Sequence, residues 1–95
     1  MQGQELDTRR RRAAYRAGHR GTKEMDWLLG RYADAVLPTI LPADLELLER
    51  FLALPDPDLH QWLLNPKLAQ NREFDGLIAA VRRFHDLDAL QQNQI

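Results

Sequence analysis

The octapeptide His19-Arg20-Gly21-Thr22-Lys23-Glu24-Met25-Asp26 concentrates the side chains of this sequence best suited to directed polar contacts. Arg20 stands four residues before Glu24, and Gly21 leaves backbone uncovered between them. A guanidinium and a carboxylate form charge-assisted hydrogen bonds, and a residue without a Cβ lets another backbone approach closely. This is chemistry for docking onto another polypeptide. The same residues also read as helix punctuation, with Gly21 as a turn, Glu24 satisfying a helix N-terminus and Arg20 offsetting it. The residues alone leave both readings open.

Nothing else in the chain makes a stronger case for chemistry. His19, His60 and His85 lie far apart, and none belongs to an H-E-x-x-H arrangement, so a metal site has no support. The glycines Gly18, Gly21 and Gly30 match no phosphate-cradling spacing, and no G-x-S-x-G is present. With no cysteine, a disulfide framework, a thiolate nucleophile and a Cys-ligated zinc are excluded together. Asp44, Glu46, Glu49, Asp58 and Glu73 read as caps or solvated helix faces, and Asp56, before Pro57, as an N-cap. We expect a chain that is not an enzyme.

The run Arg9 to Arg12 has the composition of a phosphate-binding strip. Tyr15 is the one aromatic residue near it, however, and the chain as a whole carries a net charge of -1 with a pI near 6.3. A solvated helix end explains the run more simply, and no nucleic-acid partner is expected. Residues 1–24 hold seven basic and three acidic side chains, a balance of +4, against six basic and eleven acidic in residues 25–95, a balance of -5. Such a gradient orients a partner during encounter within the roughly 8 Å that physiological salt allows.

Ninety-five residues, 44% hydrophobic and 28% charged, suit one folded domain spanning 1–95. So short a chain buries roughly 60 to 65% of its surface, which favours a binding surface over a deep catalytic cavity. No apolar run reaches the ~20 residues of a membrane span, and Glu5 and Asp7 sit badly in a presequence. The expectation is a soluble, cytoplasmic, monomeric chain.

Positioning the octapeptide requires helices on both sides. Asp7 or Thr8 is placed to cap a first helix running through the arginines, Ala13, Ala14, Tyr15 and Ala17 to Gly18, held down by Tyr15 and the alanines. A second opens near Gly21 or Thr22, with Met25, Leu28, Leu29, Tyr32 and Val36 on one stripe, and stops at Pro38. The third starts at Pro42-Ala43-Asp44 and carries Leu45, Leu48 and Leu52 beside Leu47, Phe51 and Leu54; Pro55 ends it. A short fourth buries Leu59, Trp62 and Leu63 before Asn65-Pro66, and a fifth, capped by Asn71, presents Phe74, Leu77, Ile78, Val81 and His85. No segment alternates with period two. The predicted fold is all-α, a small bundle of five helices, with an ordered core over about 7–86 and a loose tail over 88–95.

The octapeptide also resembles the R-G-x-x-E signature of the succinate dehydrogenase assembly factors, the SdhE-type flavinylation family. Arg20-Gly21-Thr22-Lys23-Glu24-Met25-Asp26 is followed by Trp27-Leu28-Leu29-Gly30, similar to the family's x-D and L-L-L-G-like continuation. The family's later L-x-D-x-D-L-x-x-W-L resembles Leu54-Pro55-Asp56-Pro57-Asp58-Leu59-His60-Gln61-Trp62-Leu63. Many members carry an arginine before the R-G pair and Met-Leu after it, where this chain has His19 and Thr22-Lys23. The resemblance implies a five-helix assembly factor that binds the flavoprotein subunit of succinate dehydrogenase or fumarate reductase and promotes covalent attachment of FAD to it. It also implies a partner surface of His19, Arg20, Gly21, Glu24 and Asp26, with no cofactor retained. The competing reading is a binding module for another target, such as an antitoxin-like or nucleic-acid-contacting regulator.

Overall fold

In the computed structural model, which describes residues 2–69 and 71–88, the apolar stripes fold into five α-helices, and no strand occurs among the described residues. In chain order these are α1 (Gln2–Gly18), α2 (Lys23–Val36), α3 (Pro42–Leu52), α4 (Asp56–Leu64) and α5 (Asp75–Phe84). Single 3-10 turns cover Leu37–Thr39, Pro66–Leu68 and Arg72–Phe74.

The first helix begins well ahead of the expected cap at Asp7 or Thr8. Both residues lie inside it: the Thr8 hydroxyl donates to the Gln4 carbonyl at 2.9 Å, and Asp7 pairs with Arg10 one turn on. Two of the four clustered arginines are drawn to partners that offset their repulsion. Arg9 forks onto Glu49 of α3, and Arg10 also donates to the Ile40 carbonyl. The Arg9 hydrogen bond holds the Glu49 carboxyl below its usual range, with burial opposing and the charge of Arg9 adding to it. Ala13 and Ala17 seat the helix on the core, as expected, but Tyr15 does not: it is 66% exposed. Near its end α1 meets α2 so closely that a Cβ on Gly30 would stand 3.1 Å from the Gly18 Cα, which is why a glycine is suited to position 30.

Thr22 caps α2 from extended backbone, its hydroxyl accepting the Met25 amide at 3.2 Å. Met25, Leu28, Leu29 and Ala33 of α2 are buried with Leu45, Leu48, Phe51 and Leu52 of α3. Leu59 and Leu63 of α4 and Ile78 and Val81 of α5 close the core, and Phe74 lies 5.3 Å from Phe51, ring centre to ring centre. Full burial of one such aliphatic side chain stabilises by about 1.5 to 3 kcal/mol. Tyr32 and Trp62 are only half-buried at the margin of this cluster, so Trp62 is not the core residue expected from its position. Asn71 caps the 3-10 turn that precedes α5, its side chain accepting the Glu73 amide at 2.9 Å.

One buried polar side chain escaped the sequence reading. Arg82 is 4% exposed, and its guanidinium donates to the carbonyls of Leu63 and Leu64 at the end of α4 and pairs with Asp88. It supplies donors to carbonyls that a helix C-terminus leaves unsatisfied. Beyond Asp88, the expected loose tail lies outside the described residues.

Candidate functional site

The chain leaves α1 at Gly18 and enters α2 at Lys23, and residues 19–22 form a tight connection. Gly21 makes the turn possible: its φ of +107° is a conformation L side chains rarely adopt. A Cβ there would meet nothing within 4 Å, so the requirement is one of backbone conformation and not of space inside the fold. Asp26, in the first turn of α2, reaches back so that its carboxylate accepts the Arg20 amide, while the Asp26 amide donates to the Thr22 carbonyl at 2.9 Å. Together with the Thr22 cap, these bonds close the loop on itself.

Arg20 points inward. Its Nε donates to the Asp56 carboxylate at 2.7 Å, and its terminal nitrogens donate to the Leu52 carbonyl at 2.7 Å and the Leu54 carbonyl at 3.1 Å. The side chain is 10% exposed. It thus caps the C-terminus of α3 and bridges to the start of α4, and its charge partner is Asp56 rather than Glu24. The expected role of Asp56 as an N-cap is overturned by the same contact. Pro55 occupies the cap position with no side-chain bond, and the Asp56 carboxylate turns to the guanidinium instead, because an ion pair shielded from water outweighs one more hydrogen bond to an amide.

The remaining octapeptide residues face outward. Gly21 is exposed, and Glu24 is 57% exposed, with its Oε1 3.1 Å from His60 Nε2 on α4. The approach is out of line for a hydrogen bond, leaving a close polar contact. His19 is exposed, donates from Nδ1 to the Tyr15 carbonyl at 2.8 Å, and stacks on the Tyr15 ring at 4.0 Å with the planes 14° apart. Of the five residues assigned to a partner surface, His19, Gly21 and Glu24 are therefore on the outside, whereas Arg20 and Asp26 brace the loop from within.

Asp56, His60 and Tyr15 belong to this region and were not among the expected site residues. A partial signal for two of them existed: Asp56 and His60 are four apart, which places both on one face of a helix.

Among the described residues no three His, Asp or Glu side chains converge as a metal ion would need. A surface depression of about 720 Å³ lies along α1 against Asp34 and Leu37 and is lined by Asp7, Arg10 and Arg11, away from Gly21 and Glu24. The outward groups offer a carboxylate, a stacked imidazole and open backbone, which can accept or donate hydrogen bonds across an interface. No described helix is long and apolar enough to cross a membrane.

The fold and the loop together define a small all-α protein whose distinctive surface is a braced turn. The chain belongs to the family described as the flavinator of succinate dehydrogenase, whose model matches residues 11–85. It is 45% identical over 58 residues to the FAD assembly factor SdhE of Acetobacter pasteurianus, covering 61% of this chain and 53% of that protein. It is 38% identical over 60 residues to the mitochondrial succinate dehydrogenase assembly factor 2 of Yarrowia lipolytica, covering 63% of this chain and 41% of the relative. The corresponding factor of Scheffersomyces stipitis is 34% identical over 61 residues, 64% of this chain and 41% of the relative. The chain thus spans about half the length, or less, of the curated relatives it matches. No solved structure matches it.

Proposed function

We propose that this chain is a flavinylation factor that binds the flavoprotein subunit of succinate dehydrogenase or fumarate reductase and promotes covalent attachment of FAD to a histidine of that subunit. One observation carries the reading. In a chain of this family, the R-G-x-x-E turn presents Gly21 and Glu24 at the surface while Arg20 and Asp26 hold it in shape from behind.

The physical requirement is differential affinity. Attachment needs the flavin and its acceptor histidine held in reactive geometry, and fixing geometry alone can lower a barrier by several kcal/mol. A factor that prefers the attachment-competent flavoprotein conformation shifts its population, whereas one that binds all conformations equally shifts nothing. Glu24 accepts hydrogen bonds from a cationic group of the partner, Gly21 admits its backbone, and His19 lies at the edge of the contact. Arg20 and Asp26 act by keeping the turn preformed, which limits the ordering cost of docking.

On this account the factor is not an enzyme and retains no cofactor, since FAD ends on the partner. It works as a cytoplasmic monomer over residues 1–95, with its helical core in 7–86, and engages neither nucleic acid nor membrane. Two of the four clustered arginines are occupied, Arg9 by Glu49 and Arg10 by Asp7 and Ile40, which argues against a phosphate-binding strip. The test is flavin fluorescence of the denatured flavoprotein subunit from cells with and without the gene. A loss of covalent flavin on deletion, restored by the gene on a plasmid, is expected; equal fluorescence in both strains would overturn the proposal.

A further inference from the structure

Two contacts tie the α1–α2 connection and the first turn of α2 to α4, and they are unequal. Arg20 of the connection meets Asp56, and Glu24 in the first turn of α2 meets His60, one turn further along α4. The Arg20–Asp56 contact is shielded, with the guanidinium side chain 10% exposed, and serves the fold. The Glu24–His60 contact is open at the surface, next to the exposed turn.

From this geometry we infer that His60 is a positioning residue for docking: it holds the Glu24 carboxylate by one oxygen so that the other is presented to the partner. The inference rests on the assignment of Glu24 to the flavoprotein interface. Three observations support it. The Arg20 guanidinium, which could otherwise offer a cation to Glu24, is engaged by Asp56 and the Leu52 and Leu54 carbonyls. His60 Nε2 is itself buried and makes no aligned hydrogen bond, so Glu24 Oε1, 3.1 Å away, is the polar group it faces. Finally, Glu24 is 57% exposed, and an exposed glutamate left without a contact samples several rotamers, each of which must be given up on binding.

The tautomer that fits carries its proton on Nε2, which then points toward Oε1, and a small rotation of either side chain would align the hydrogen bond. An amide at the same place can do likewise, since the side-chain nitrogen of glutamine can occupy the place of Nε2. A leucine cannot. The chemistry presented outward is a carboxylate oxygen at fixed height above the Gly21 turn, suited to a guanidinium or ammonium group on the partner.

The test is a titration of the full chain with the flavoprotein subunit of succinate dehydrogenase purified without covalent flavin, reading Kd, with a thermal melt of each variant. His60→Leu is expected to weaken binding about 5-fold with little change in melting, His60→Gln to restore it to within about twofold, and Glu24→Gln to weaken it more than His60→Leu does. In the Glu24→Gln background, adding His60→Leu should change Kd less than about twofold, because the residue acts through Glu24. Wild-type affinity in His60→Leu, with Glu24→Gln weakened, would overturn this inference and leave the docking assignment standing. An equal loss from His60→Leu in both backgrounds, or a failure of His60→Gln to restore affinity, would also overturn it. Unchanged affinity in Glu24→Gln would instead remove the assignment on which it rests.

Discussion

Arg20 and Asp56 stand 36 positions apart in the chain and 2.7 Å apart in the fold. The contact ties the R-G-x-x-E segment to the L-x-D-x-D-L-x-x-W-L segment, so the two patterns are parts of one construction: the second supplies the anchor that shapes the first. A guanidinium with acceptors at the end of α3, in the connection that follows it and at the start of α4 fixes where the chain leaves α1, and hence where Gly21 and Glu24 are displayed.

Arg20→Ala is therefore expected to damage the fold. It leaves the Leu52 and Leu54 carbonyls short of a donor and Asp56 without its cation, at a cost of about 2 to 4 kcal/mol, below the full value for a buried pair because Asp56 keeps some access to water. Urea denaturation checks this, and a double-mutant cycle with Asp56→Ala should give a coupling above about 0.5 kcal/mol. A variant that unfolds at the wild-type urea midpoint would show that Arg20 is free to serve the partner.

Gly21→Arg tests the turn. Nothing inside the fold obstructs a side chain there, so its cost is the strain of positive φ, about 1 to 2 kcal/mol, and the protein should remain folded. At equal concentrations of folded protein, flavin attachment to the partner should be lost. A folded variant that supports normal attachment would mean that no partner backbone approaches Gly21.

The arginine run should divide in two. Arg9→Gln and Glu49→Gln are each expected to lower the melting temperature at neutral pH, whereas Arg11→Gln with Arg12→Gln should alter only the rate of association and its dependence on salt. Because Arg9 depresses the Glu49 carboxyl in the folded state, the contribution of the pair is fully present above the ordinary carboxylate range and disappears as pH falls through the depressed value. Melts of wild type and Glu49→Gln should therefore converge in acid. A constant difference from neutral to strongly acidic pH would remove the ion pair as its cause.

Trp62→Ala should cost about 2 to 3 kcal/mol, less than truncation of a fully buried aromatic, since the ring is only partly enclosed. Equilibrium unfolding measures it. A loss of 4 kcal/mol or more would return Trp62 to the core.

The helices were legible because apolar residues recur at helical spacing, from Met25 to Ala33 and from Leu45 to Leu52, and the prolines at 38, 42, 55 and 66 punctuate them. The start of α1 was not, because Asp7 and Thr8 are good caps in isolation and equally tolerable inside a helix when Arg10 and the Gln4 carbonyl receive their side chains. For the site, the octapeptide stood out by residue type, but the direction of each side chain did not. Whether Arg20 faces Glu24, four residues along its own chain, or Asp56 depends on where α3 and α4 are packed, which is a tertiary matter. Arg82 had a partial signal: it lies four residues after buried Ile78, on the apolar face of α5, where a long aliphatic stem can carry a charge to carbonyls at the end of a neighbouring helix.

The central claim is that the exposed Glu24 makes the productive contact with the flavoprotein. The most direct measurement is in-gel flavin fluorescence of the flavoprotein subunit in cells lacking the gene and complemented with wild type or Glu24→Ala, with a thermal melt of each purified protein. Because Glu24 is exposed, the variant should melt within about 1 kcal/mol of wild type in stability. Removing a carboxylate from a docked cation should weaken the complex by about 2 to 5 kcal/mol, and covalent flavin should fall to the level of the deletion strain. Wild-type fluorescence from a normally folded Glu24→Ala protein would contradict the account.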